Sequence, residues 1–425
     1  MKKQEKKYRA YVEILQEELI SAMGCTEPIA LAYAAAKARE VLGTLPDKVF
    51  IQVSGSIIKN VKSVIVPNTN QMKGIPAATA AGIIAGRSEK QLEVISEVTQ
   101  EEIAAMKEFL NRVPIRVEHM EQGPVFDIIL TLYAGKSYVK VRIANYHTNI
   151  VLIERDGEIL FEKEVEADGS GKKTDRSLLD MESIWDFANT ADIEDVKDVL
   201  GRQINYNSAI AEEGMKHCYG AGISGVLMDS YGDDICNRAK AKAAAGSDAR
   251  MNGCELPVVI NSGSGNQGIA CSVPVIEYAR ELNAGEEKLY RALILSNLVA
   301  IHQKTGVGTL SAYCGAVCAG AGAGAGIAYL RGGDLDAVSH TVVNALAITS
   351  GMICDGAKSS CAAKIASAVD AGILGYNMYL KGRNFASGDG IVLDDVESTI
   401  RGVGYIARVG MERTNEEIIN LMMEV

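Results

Sequence analysis

The stretch from Phe126 to Asn145, "FDIILTLYAGKSYVKVRIAN", alternates apolar and polar residues in two runs that are separated by turn residues. Period-two alternation is typical of β-strands, because successive side chains of a strand point to opposite faces of the sheet. Similar runs precede it at Val113 ("VPIRVEHM") and follow it at Ile150 ("IVLIERDG") and Glu158 ("EILFEKEV"). We therefore predict an antiparallel meander of five strands.

The segment on the N-terminal side of the meander mixes helical and strand patterns. Apolar residues at helical spacing over residues 7–23 and an Ala-rich run over 29–42 predict two helices, which "GCTEP" interrupts. The runs "KVFIQVSG" (48–55) and "VKSVIVPN" (61–68) predict strands, and residues 75–110 predict further helices.

The C-terminal half follows a polar, glycine-containing linker, Ala167–Ser177, and is almost wholly helical in pattern. Its exception is "LPVVINSGSGNQGI", a short apolar stretch that leads into a Gly-rich loop. The expected fold class is α+β, with an N-terminal α/β domain that carries an antiparallel sheet and a mainly helical C-terminal domain. The expected divisions are a helical pair (1–43) near the active site, the α+β domain (44–168) and a helical domain (178–425).

Composition limits the function classes. The 425 residues carry a formal net charge of −11, which disfavours nucleic acid and anionic membranes as partners, since both require a cationic surface. The basic N-terminus lacks the apolar run of a signal peptide, and nine cysteines without a secretory signal predict a cytoplasmic protein with free thiols. The uncharged run Thr309–Leu330 is mostly Ala, Gly, Ser and Cys, so we expect a buried helix. The extensive helical surface is compatible with a homodimer.

Residues 263–268 form a literal G-x-G-x-x-G. A dinucleotide site would need a βαβ unit, and the following residues are helical, so that interpretation fails. A Gly-rich loop at a helix N-terminus can instead offer backbone N–H groups to an anion such as a carboxylate. Asn266 and Gln267 could add side-chain donors. The alternative is a plain tight turn.

Two cysteine motifs could also carry chemistry. Cys25 lies just before a predicted helix start with Thr26 or Glu27 as the cap, where the helix dipole lowers a thiol pKa and Glu27 opposes that effect. The alternative is a thiol that fills a gap between helices. Four further thiols suit an iron–sulfur or zinc centre, or else are small buried residues: Cys314, Cys318, Cys354 and Cys361.

Taken together, five motifs resemble the L-cysteine desulfidase family (the UPF0597 group), which is related to the iron–sulfur L-serine dehydratases. They are "MGCTEPIALAYAAA", "VSGSIIKNVKSVIVPNT", "NSGSGNQGI", "SAYCGA" and "MICDGAKSSCAAK". The resemblance spans nearly the whole chain. It implies an oxygen-sensitive [4Fe–4S] cluster, which aerobic preparation can remove, held by Cys314, Cys354 and Cys361. Cys25 would be a base or a labile fourth ligand.

The implied activity is α,β-elimination of L-cysteine to hydrogen sulfide, ammonia and pyruvate without pyridoxal phosphate. Serine dehydratases carry a Ser/His-rich motif where this chain has "GCTEP", which favours cysteine over serine as substrate. Carboxylate binding is expected at the loop of Ser262, Gly263, Gly265, Asn266 and Gln267, beside Thr26.

Other roles and functions stay open at this point. Glu27 and Lys59 are further candidate catalytic residues, with Asn60 beside Lys59, and the alternative for Lys59 is an ordinary surface lysine. The alternative functions are an iron–sulfur L-serine dehydratase and a non-enzymatic protein that binds amino acids or metal.

Overall fold

The computed structural model describes residues 1–165, 174–308 and 311–424, and it confirms an α+β fold. The strands are β1 (Ser21–Met23), β2 (Lys48–Ser54), β3 (Ile115–Met120), β4 (Asp127–Ala134), β5 (Ser137–Ala144), β6 (Ile150–Arg155), β7 (Glu158–Glu162) and β8 (Pro257–Val259). The helices of the N-terminal half are α1 (Lys6–Glu18), α2 (Thr26–Leu42), α3 (Gly55–Val61), α4 (Gly74–Ala85) and α5 (Gln100–Arg112). Those of the C-terminal half are α6 (Met181–Thr190), α7 (Lys197–Lys216), α8 (Ile223–Tyr231), α9 (Ile235–Met251), α10 (Gly265–Glu281), α11 (Glu286–Val307), α12 (Gly315–Leu330), α13 (Leu335–Thr349), α14 (Ser360–Leu380), α15 (Val396–Tyr405) and α16 (Glu412–Glu424).

The large sheet has the order β3-β2-β4-β5-β6-β7. The predicted meander is confirmed for β4 to β7, which pair antiparallel in sequence order. It is wrong for β3, which pairs parallel with β2 at the opposite edge, with Val49 beside Ile115. The cause is the chain between them: helices α3 to α5 form a crossover, and such a connection returns the chain parallel to the strand that it left. The sheet is therefore mixed.

Two other strand and helix predictions are corrected. The run 61–68 is not a strand: α3 ends at Val61, and an irregular turn follows that is closed by a bridge between Ile65 and Lys73. Its apolar side chains are buried, so the apolar pattern of this run reflects burial in the core rather than strand pairing. The first helix ends at Glu18, because the residues Ser21–Met23 are extended and pair antiparallel with Pro257–Val259.

Small residues allow the helices around α12 to approach closely. A Cβ on Gly320 would lie 2.3 Å from the carbonyl oxygen of Ala368, and one on Gly324 would lie 2.6 Å from that of Gly372. Backbone contact of this kind requires glycine on the facing surfaces. The expected buried helix is confirmed over Gly315–Leu330, while residues 309 and 310 lie outside the described residues. Within the described residues, no helix has the length and apolar character needed to cross a membrane.

The two N-terminal helices pack on different partners. The rings of Tyr8 and Tyr11 on α1 meet Phe187 of α6 edge-on, at centroid distances of 5.1 and 5.3 Å. Helix α2 lies against α4 and the strands β4 and β5. Of the expected linker, residues 167–173 lie outside the described residues. The start of α2 therefore lies where the sheet and the helical half meet.

Candidate active site

One cavity of about 130 Å³ is lined by the start of α2, by the Gly-rich loop before α10, by the cysteine motifs before α12 and α14, and by single residues of other elements. Most of the predicted site residues line it: Cys25, Thr26, Glu27, Ser262, Gly263, Asn266, Gln267, Cys314, Cys354 and Cys361. Asn60 also lines it, whereas Lys59 and Gly265 do not. The motifs thus converge on a single site.

The pairing of β1 with β8 brings the first two motifs together. Each strand leads directly into a loop that ends at a helix N-terminus, so the start of α2 lies beside the loop that precedes α10. The hydroxyl of Thr26 donates to the carbonyl oxygen of Gly263 over 3.0 Å. The expected cap is corrected here: the N-cap of α2 is Cys25 itself, which is the last extended residue, and Thr26 and Glu27 lie in the first turn.

The Cys25 thiol donates to Glu27 Oε2 over 3.1 Å. Burial and the neighbouring Glu27 charge raise the pKa of Cys25 well above its usual value, so the helix dipole does not produce a thiolate here. Although burial raises the pKa of the Glu27 carboxyl, hydrogen bonding with His147 and Cys25 lowers it to about 2. The pair therefore consists of a protonated thiol that donates a hydrogen bond to an ionised carboxylate.

A buried chain of amides holds the Gly-rich loop. Asn261 Nδ2 donates to Asn297 Oδ1 over 3.0 Å, and Asn297 in turn exchanges hydrogen bonds with Gln203. The Ser262 hydroxyl donates to Asn261 Oδ1 over 2.9 Å. Fully paired buried amides are rigid, so these contacts fix the loop conformation, in which Ser262 has a φ of +50°.

The cysteine motifs meet through a short antiparallel contact. Cys354 N–H donates to the Ala312 carbonyl over 2.6 Å, and Cys314 N–H donates to the Met352 carbonyl over 3.1 Å. A turn follows at Asp355-Gly356, where Gly356 has a positive φ, and α14 begins at Ser360, so Cys361 lies in its first turn. The three thiols thus line the cavity from two facing segments and one helix start.

The environment of Cys314 and Cys361 favours the protonated thiol in the absence of an added charge. Burial, and then the neighbouring Cys354, raise the pKa of Cys314 to about 12. Burial also raises the pKa of Cys361. Cys318 is buried in α12 and does not line the cavity, and Cys271 donates instead to Asn297 Oδ1 over 3.3 Å. These two therefore fit the interpretation of small packed residues.

Three cations surround the site without a carboxylate partner within 4 Å in the described part of the chain: Lys59, Arg250 and Lys304. Lys59 is 1% exposed, so the surface-lysine alternative is wrong; its Nζ donates to Asn415 Oδ1 over 2.6 Å and to the Cys354 carbonyl over 3.4 Å. Burial lowers the pKa of Lys59 and of Lys304. An anionic occupant beside these groups would stabilise their charged forms.

Comparison with known proteins identifies the family of this chain. A sequence profile of the serine dehydratase alpha chain matches residues 89–420. The chain belongs to the serine dehydratase alpha chain family. UPF0597 proteins of Desulfitobacterium hafniense, Lachnoclostridium phytofermentans and Treponema denticola are 60%, 52% and 47% identical to it. These matches cover 100%, 98% and 98% of this chain and 98%, 100% and 98% of the respective relatives.

Membership in the serine dehydratase family indicates a lyase-type enzyme, and the family is associated with iron–sulfur serine dehydratases. Among the described residues, no three His, Cys, Asp or Glu side chains are grouped tightly enough to hold one metal ion. A cluster of four irons needs more widely spaced thiolates than a single ion does. Three thiols on one cavity, of which Cys314 is buried and Cys354 and Cys361 are half-buried, lie next to cations without carboxylate partners in the described residues. This arrangement fits such an anionic thiolate centre.

Several cavity residues escaped sequence reasoning, chiefly His147, Arg250, Lys304 and Lys364. His147 lies in the turn between β5 and β6, beside the Phe126 ring, and its Nε2 is buried without a hydrogen-bond partner in the described residues. No local pattern marks it. Arg250 and Lys304 lie in helices that also carry other charged side chains, so the sequence alone does not set them apart.

Proposed function

We propose that this chain is an L-cysteine desulfidase that catalyses α,β-elimination of L-cysteine. The reaction consumes one water and yields hydrogen sulfide, ammonia and pyruvate, because the enamine left by elimination hydrolyses. The observation that carries the proposal is the convergence of Cys314, Cys354 and Cys361 with the Cys25–Glu27 pair on one cavity. The family membership supports the lyase class, and the cysteine motifs support the choice of substrate.

Cys314, Cys354 and Cys361 would hold a [4Fe–4S] cluster. When bound, the cluster supplies an open iron that acts as a Lewis acid towards the departing sulfur. The surrounding cations have a separate task, since three thiolates would add negative charge to a buried site. Lys304 lines the cavity, and the ammonium of Lys59 donates to the backbone carbonyl oxygen of Cys354. We therefore assign Lys59 as a positioning residue rather than one that contacts substrate.

Elimination also needs a base for the Cα proton. We assign this role to His147 Nε2, because it is buried without a partner in the described residues and belongs to the cavity wall. Glu27 lies against His147 as a carboxylate and would stabilise the imidazolium that forms. The Cys25 thiol, which bonds to that carboxylate, carries its proton and remains the candidate for a labile fourth ligand.

A second candidate function is an iron–sulfur L-serine dehydratase, which the description of the matching family favours. Initial rates with L-cysteine and L-serine, measured on the same anaerobically reconstituted protein, separate the two. The proposal predicts a higher kcat/KM with L-cysteine. A tenfold advantage for L-serine would replace the desulfidase with the dehydratase, and turnover of neither amino acid would favour the non-enzymatic alternative.

A matched pair of variants tests the assigned base. His147→Gln should lower kcat strongly and leave iron content unchanged, because the side chain is not a proposed ligand. His217→Gln, at an exposed position, should behave as the unchanged enzyme does. A His147→Gln enzyme with full kcat would refute the assignment.

A further inference from the structure

Arg250 is a buried cation without a carboxylate partner in the described residues. It lies near the end of α9, is 3% exposed and lines the cavity. Its Nη1 donates to Asn266 Oδ1 over 3.1 Å, while its Nε is buried with no partner in the described parts of the chain. A buried guanidinium without an anion is costly, because water no longer solvates the charge. An anion from outside the chain would remove that cost.

The fold makes room for this guanidinium at the N-terminus of α10. A Cβ on Gly265 would lie 2.3 Å from Arg250 Nε and 2.7 Å from its Cζ, so only glycine permits the contact. This explains why Gly265, although it does not line the cavity, belongs to the motif. Helix α10 has 17 residues, and its free N–H groups favour negative charge at this end. The guanidinium and the helix start therefore act on the same region.

A second unpaired group has the opposite hydrogen-bonding character. Gln267 Oε1 is an acceptor that is buried without a partner in the described residues, and its side chain is 6% exposed on the same cavity wall. Glu27 does not satisfy Arg250, since its carboxylate bonds to Cys25 and Thr26 instead. An unused donor and an unused acceptor in one small cavity match the two ends of a zwitterion.

We infer that Arg250 binds the α-carboxylate of the substrate and that Gln267 accepts a hydrogen bond from its α-ammonium group. This inference rests on the proposed function and deepens it by naming the substrate class: α-amino acids with both groups free. It also orients the substrate, because a carboxylate held at Arg250 leaves the sulfur free to face the cysteine-lined wall. Cysteamine, which lacks the carboxylate, should be rejected.

Binding of unreactive probes tests the inference without relying on turnover. L-Alanine has both charged groups but no leaving group, propionate has only the carboxylate, and ethylamine has only the ammonium. Dissociation constants are measured by calorimetry on the anaerobically reconstituted protein. Arg250→Met should weaken L-alanine and propionate binding at least about tenfold and leave ethylamine binding unchanged. Arg280→Met, at a half-exposed site on the same α10, serves as the control and should change none of the three.

Two further variants keep the test decisive if Arg250→Met does not fold. Arg250→Lys keeps the charge but loses the planar donor pair, and Gly265→Ala displaces the guanidinium; both should weaken L-alanine binding selectively. Unchanged L-alanine affinity in these variants, or an equal loss for ethylamine, would overturn the inference. Arg250-dependent L-alanine binding without sulfide production would refute the desulfidase and keep this subsite. Sulfide production by Arg250→Met at an unchanged KM would refute this subsite and keep the desulfidase.

Discussion

The turn between Cys354 and Cys361 depends on Gly356, and its replacement by alanine offers a quantitative test. Gly356 has a φ of +92°, and a Cβ at this position would lie 2.0 Å from the carbonyl oxygen of Lys59. The left-handed backbone alone costs an L-residue about 1–2 kcal/mol. The clash is with backbone, which cannot rotate away, and overpacking of this kind adds about 1–3 kcal/mol. Gly356→Ala should therefore cost about 2–5 kcal/mol.

Gly388 provides the matched control. Its φ of +94° is nearly the same, but no heavy atom lies within 4 Å of the position that a Cβ would take, so Gly388→Ala should cost only the backbone strain. Urea unfolding of both variants gives the difference in the free energy of unfolding, which we expect to be about 2 kcal/mol. Gly356→Ala should also take up less iron during anaerobic reconstitution, because the turn sets two proposed ligands. Equal losses of stability together with full iron uptake would refute this reasoning.

Three further results are expected. Cys361→Ser should lower the iron content of reconstituted protein, whereas Cys318→Ser, a buried thiol away from the cavity, should not; equal iron content in both would remove Cys361 from the ligand set. Burial raises the pKa of Glu277, but its two cationic neighbours lower it below the usual 4.5, so it stabilises the fold above that pH and the stabilisation is lost on acidification. In Glu277→Gln, the free energy of unfolding should therefore fall less steeply below pH 4.5. A variant that loses stability on acidification as steeply as the unaltered protein would contradict the direction of this effect. Asp127→Asn removes a two-point contact with Arg142, at 2.9 and 2.6 Å, and should cost about 2 kcal/mol in urea unfolding; no loss would show the pair to be neutral.

Local patterns predicted the parts of the fold that depend on neighbouring residues. Strands β4 to β7 follow one another through short turns, so alternation and turn residues were sufficient. The position of β3 depends on a crossover through three helices, which alternation does not encode. The pairing of Ser21–Met23 with Pro257–Val259 joins segments more than two hundred residues apart, and the helical spacing before it hid the end of α1.

In the candidate site, too, the residues of local motifs were predicted, whereas the residues that long-range packing brings in were not. Cys25 was found because helix-start residues lie directly beside it, and Cys354 was found because it belongs to a compact motif with a second cysteine. His147 was missed because its turn has no distinctive chemistry, and only the sheet brings it to Glu27. Arg250 was missed because its position on α9 faces the cavity only once α9 packs against α10. The electrostatics of Cys25 also required the structure, since burial outweighs the helix dipole.

The most direct test of the account is sulfide release from L-cysteine by the full chain, purified and reconstituted without oxygen, beside its Cys354→Ala variant. The account predicts sulfide and pyruvate in equal amounts from the unaltered protein and none above background from the variant. An iron-loaded protein that releases no sulfide would contradict the desulfidase, and equal release by Cys354→Ala would contradict the cysteine-lined cavity as its site.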